Sequence, residues 1–136
     1  MVDSLAVGLP RVAEPGEVLY TTIESHIGGH PVDVAIDLVK LGKDPSSVAV
    51  AAAVGLGPFG SFVREVMDAY GMPTYLQEVT QTDTGRNLVL VVAGEDRRFH
   101  VDPGANWELR SAHVADAIAD FKPDLLTVRP GYSGID

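Results

Sequence analysis

The 136-residue chain has no cysteine. That excludes disulfide staples, thiolate zinc sites and a cysteine nucleophile. It is also poor in positive charge. Ten Lys and Arg stand against 19 Asp and Glu, for a net charge of −9. Such a surface repels phosphate backbones and anionic headgroups, so neither nucleic acid nor a membrane surface is expected as a partner. Long hydrophobic runs are missing too. The longest, 48–56, is far shorter than the roughly 20 residues that span a bilayer. The first residues, Met1-Val2-Asp3-Ser4, carry no basic segment ahead of an apolar one, so no signal peptide and a cytoplasmic location are expected. The histidines at 26, 30, 100 and 113 show no metal-ligand spacing and are expected on the surface or in loops.

What is present suits a globular protein. Hydrophobic residues make up 46% and charged residues 21%, enough for one compact core over 1–136. Residues 5–8 and 18–23 read as strands, separated by a loop with Pro10, Pro15 and Gly16. Pro31 opens a helix whose apolar stripe is Val32, Ala35, Ile36 and Val39, with Gly42 at its C-terminal end. The apolar run 47–54 predicts a strand covered on both faces. A glycine-rich turn at 55–60 leads into a helix that carries Phe59, Phe62, Val63, Val66 and Tyr70 inward and stops at Gly71. Strand 74–79 follows, then a hairpin over 87–101 and a loop at 103–106. Ser111 is placed to cap a helix with the stripe Val114, Ile118 and Phe121. Asp116 and Asp120 on that helix read as a solvated face. Residues 125–128 read as a last buried strand, with a ligand-facing loop at 130–134. Strand and helix alternate, interrupted by β segments without helices between them. The expected fold is an open, mostly parallel α/β sheet with flanking helices and a small β layer. The ending so soon after a buried strand reads as a truncation.

Two glycine clusters could carry chemistry. Gly55, Gly57 and Gly60 form a literal G-x-G-x-x-G between a strand and a helix, and Glu78 ends the next strand. That pattern suits a dinucleotide pyrophosphate. Against it, Pro58 removes an N–H and a hairpin stands where a crossover helix belongs. The second cluster is Gly28-Gly29 ahead of a helix with Asp33 in its first turn. Paired glycines admit close backbone approach to a ligand, and a carboxylate there accepts hydrogen bonds from hydroxyls. A plain strand-to-helix turn explains the same residues.

The second cluster resembles the first signature of the ribokinase-like (PfkB-type) carbohydrate kinases: Gly28, Gly29, Asp33, Ala35, Leu41 and Gly42 stand at its spacing. The order continues through the Gly55–Gly60 turn, Gly71-Met72-Pro73-Thr74, Thr84-Gly85-Arg86-Asn87-Leu88, Gly94–Phe99, Gly104-Ala105-Asn106 and Pro123-Asp124-Leu125-Leu126. The resemblance implies an N-terminal portion of a ribokinase-like fold, with lid segments at about 14–28 and 84–102. It implies an ATP-dependent, Mg²⁺-assisted sugar kinase as the intact enzyme; separately, exposed lid strands could pair two copies through their edges. Gly28 and Gly29 would approach the sugar, and Asp33 would stand where the family has an Asn. Arg86 is either a solvated lid charge or a phosphate group's partner if the substrate is a phosphosugar; a nucleoside is also open. The family's substrate-binding Asp falls near Ala13, with Glu14 beside it, and the Asp of the second glycine turn is Gly57. No G-A-G-D-type motif, which supplies the base and anion hole, occurs in the 136 residues. The chain alone is therefore expected to lack turnover and to bind ATP and Mg²⁺ weakly. A non-catalytic ligand-binding or dimerising α/β module is the alternative.

Overall fold

The structure, a computed structural model, describes residues 1–128. The loop expected at 130–134 lies outside the described residues. The chain runs β1 (Val2–Leu9), β2 (Thr22–Ile27), α1 (His30–Lys40), β3 (Val50–Gly55), α2 (Pro58–Tyr70), β4 (Thr74–Val79), β5 (Arg86–Val92), β6 (Arg98–Asp102) and α3 (Ser111–Phe121). Its strands form two sheets. One has the order β2-β1-β5-β6, the other is the pair β3-β4. β1 runs parallel to β5, β3 runs parallel to β4, and the outer strands β2 and β6 run antiparallel to their neighbours.

The main core follows from the two periodicities. Val32 and Ile36 on α1 meet Val63 and Met67 on α2 at helical spacing. Val50 and Val54 of β3, and Val2 of β1, close that cluster. The opposite face of β3 carries Ala53, which packs with Val79, Ala105 and Leu109. β3 is thus covered on both faces, as its unbroken apolar run requires. Gln77 of β4, almost fully buried, ties in the connection to α3. Its Nε2 donates to the Glu108 carbonyl at 2.6 Å and its Oε1 accepts the Arg110 N–H at 3.0 Å.

Four expectations are corrected. The strand expected at 18–23 lies at Thr22–Ile27, because its partner β1 fixes the register from Val2↔Ile27 to Val7↔Thr22. Val18 and Tyr20 are left exposed ahead of it. Ser111 does not cap α3. Arg110 holds the cap position and is bonded by Gln77, so Ser111 is the first helical residue. Asp120 is not merely solvated, since it accepts the Tyr75 hydroxyl at 2.6 Å and pins α3 to β4. Residues 125–128 form no strand, and Leu125 is 85% exposed. A strand needs a ladder partner, and no described strand lies beside this segment.

Candidate functional site

Four strand ends meet at one corner of the fold: the starts of β1 and β5 and the ends of β2 and β3. Backbone bonds draw them together. The Val2 N–H donates to the Gly85 carbonyl at 2.8 Å, and the Gly28 N–H donates to the Met1 carbonyl at 3.0 Å. The Gly55 N–H donates to Thr84 Oγ1 at 3.0 Å, a bond that joins the two sheets and buries Thr84.

Asp3 sits at this corner on β1. Its carboxylate lies directly under Gly28, so close that a Cβ on residue 28 would overlap an Asp3 oxygen. With any larger residue at 28 the Asp3 carboxylate would have to move aside. Gly29 then turns the chain with φ +108°, a region that other residues enter at a cost. Its carbonyl accepts the N–H groups of Val32 and Asp33, so α1 begins at once and Asp33 falls in its first turn. Burial, and then the nearby Asp3 charge, push the Asp33 carboxyl above its ordinary range. Asp33 also borders an open groove of about 520 Å³ with His26, Asp37, Phe62 and Tyr70.

The neighbour of Asp3 across the sheet is Asn87 of β5. Residues paired in register point to the same face, so the carboxylate and the amide stand side by side. Asn87 is buried. Asp3 Oδ1 and Asn87 Oδ1 are both buried without a hydrogen-bond partner among the described residues. Such oxygens are costly unless something donates to them.

The residues expected from sequence are thus divided. Gly28, Gly29 and Asp33 are brought together. Arg86 is not with them: strand alternation turns it to the other face of β5, where its guanidinium lies 5.0 Å from the Phe59 ring centre. Glu14 and Ala13 lie in the loop beyond Leu9, at the opposite end of β1, about 20 Å along the strand from Gly28. Ala13 borders an apolar groove with Leu9, Val12 and Leu19. Ala13 and Glu14 therefore lie apart from the glycine pair. The carboxylate beside Gly28 is Asp3, which sequence reasoning missed. Asn87 was missed too. Its signal was alternation: it shares the buried face of β5 with Val89, between the exposed Arg86 and Leu88.

The glycine turn at 55–60 is filled rather than open. A Cβ on Gly55 would meet Asp83 Cα at 2.7 Å, and one on Gly57 would meet Asp83 Oδ1 at 2.8 Å. The Asp83 carboxylate, bonded to the Thr84 N–H at 2.7 Å, stands where a pyrophosphate would have to come. The dinucleotide expectation fails on this geometry, since one anion already occupies the start of α2. Among the described residues no three His, Cys, Asp or Glu converge.

The two carboxylates give a test of electrostatics. The folded-state pKa of Asp33 lies above its ordinary 3.8. The folded chain therefore holds this proton more tightly, and the stability it brings is lost as pH rises through the folded value. Glu17, held near 2 by its bonds from Arg11 and the Glu14 N–H, acts in the opposite sense at lower pH. The comparison of Asp33→Asn with the parent isolates Asp33. As pH rises from 3 to 7, Tm of the variant is expected to gain on the parent by about 1–2 °C, the partly exposed charge being screened. A constant gap in thermal melts across that range counts against the shift.

The chain is similar to one protein family and to several solved structures. The family model described as pfkB family carbohydrate kinase matches residues 3–126. The fold is similar to ribokinase from Giardia lamblia, with a TM-score of 0.77 at 24% identity, over 88% of this chain and 36% of that one. It is similar to ribokinase from Cryptococcus neoformans var. grubii serotype A, a complex with ADP, with a TM-score of 0.64 at 27% identity, over 81% and 34%. It is similar to fructokinase from Xylella fastidiosa, with a TM-score of 0.66 at 25% identity, over 86% and 36%. The chain therefore spans about a third of the length of these structures. No curated protein sequence matches it significantly. Among the described residues no helix is long and apolar enough to cross a membrane.

Proposed function

Because this chain belongs to the pfkB family of carbohydrate kinases, we propose that it is the sugar-binding and lid portion of an ATP-dependent sugar kinase. The observation that carries this reading is the Asp3 carboxylate under Gly28, whose buried Oδ1 has no hydrogen-bond partner among the described residues. A sugar hydroxyl supplies the missing donor. The glycine pair lets a flat polyol come within hydrogen-bond distance of backbone, and Asp33 offers further acceptor oxygens. Two carboxylates, with Arg86 turned away to Phe59, favour an uncharged polyol over a phosphate at this end of the substrate. D-ribose and D-fructose, after the names of the similar structures, are the first sugars to test.

Phosphoryl transfer needs an anion hole and a positioned base, and the 136 residues contain no G-A-G-D-type motif. The chain is expected to bind sugar and not to turn over. Titration calorimetry with D-ribose and D-fructose should give saturable binding. An ATP-coupled assay with the same sugars should give no rate above background. Robust turnover would refute the division of labour, and the absence of binding by any sugar would refute the site.

A second copy is the second reading, favoured by the outer strands of the four-stranded sheet. Among the described residues β2 and β6 have one edge each unpaired, and Ile23 and Phe99 on them are 70% and 54% exposed. Such edges pair with other strands. A solution mass of twice the monomer would support it.

A further inference from the structure

We infer that Asn87 is a specificity-determining residue that reads one particular hydroxyl of the bound sugar. The inference rests on the sugar-binding reading above and adds to it the residue that discriminates between sugars.

Asn87 is 7% exposed and its Oδ1 has no donor. β5 could bury an apolar side chain here at lower cost, as it does two residues on at Val89. The amide is instead kept beside Asp3, on the same face and in register. Neighbouring strands lie about 4.8 Å apart. Two acceptors at that spacing suit a molecule with two adjacent hydroxyl groups, one donating to each. Among the described residues no protein group fills either role.

The chemistry of discrimination follows from burial. A sugar that lacks the second hydroxyl leaves the amide oxygen unsatisfied in a closed site, a loss an exposed acceptor would make good with water. Asp3, shared by any polyol that enters under Gly28, sets affinity. Asn87 sets which polyol.

The test compares the full 136-residue chain with Asn87→Leu, which keeps the branched skeleton but not the amide, and with Asn87→Ala, which cannot clash. Affinities are measured by calorimetry for D-ribose, D-fructose and monodeoxy analogues of whichever binds. The parent is expected to bind one monodeoxy analogue roughly tenfold more weakly than the full sugar. Both variants should bind the full sugar roughly tenfold more weakly and should no longer distinguish it from that analogue. Asn87→Leu should also melt no lower than the parent, because an unsatisfied buried oxygen is gone. A merely structural Asn87 would lower Tm and leave the ratio between analogues unchanged, which overturns the inference. So does a variant that binds every sugar as the parent does. If the parent binds no sugar at all, the sugar-binding reading falls and this one with it.

Discussion

Gly60→Ala is expected to cost about 3–4 kcal/mol and lower Tm by roughly 10 °C, in a thermal or urea melt. A Cβ on residue 60 would overlap the Gly55 carbonyl oxygen and stand 3.1 Å from Thr84 Oγ1. Neither neighbour can give way cheaply. The Gly55 carbonyl is backbone at the end of β3, and its amide already holds Thr84. α2 would have to retreat by about an ångström or more to restore ordinary contact. That retreat would loosen Val63 and Met67 from the core they share with Val54. Gly94→Ala is the control. It has φ +74° but open space around it, so the cost is only that of a left-handed residue, about 1 kcal/mol. If the two variants lose the same stability, tight packing is not what Gly60 is for.

Asp3→Asn is expected to weaken sugar binding by roughly 30- to 150-fold, about 2–3 kcal/mol, the range for a buried charge-assisted acceptor. The shape of the side chain is kept, so the glycine pair still passes over it. What is lost is the negative oxygen that no protein group satisfies. The variant should at the same time be no less stable than the parent, since the repulsion between Asp3 and Asp33 is relieved. It should also bring the Asp33 carboxyl part of the way back towards its ordinary range, burial remaining. Calorimetry gives the affinity, and a carboxyl titration followed by NMR gives the second readout. Lost binding together with lost stability would mean that Asp3 is a structural residue.

Most elements were legible in the sequence because their information is local. Helix α1 declares itself by Pro31, the spacing of Val32, Ala35 and Ile36, and Gly42. β4 at Thr74–Val79 is bounded by Gly71-Met72-Pro73 and ends as expected. Gly28, Gly29 and Asp33 were legible as one group because a single turn holds them. β2 was placed four residues early because strand propensity at Val18–Tyr20 is real, but the ladder with β1 overrules it.

The sequence by itself determined the family signature, the order of elements and the absence of a catalytic motif. These rest on residue types at fixed spacing along one chain. Only the tertiary structure decided that Asp3 rather than Glu14 faces the glycine pair, that Arg86 turns away to Phe59, and that Asp83 fills the glycine turn. Each depends on strand register. A register shift of one residue sends a side chain to the opposite face, and no local pattern at Asp3 or Asn87 states which residue of a distant strand will lie alongside it.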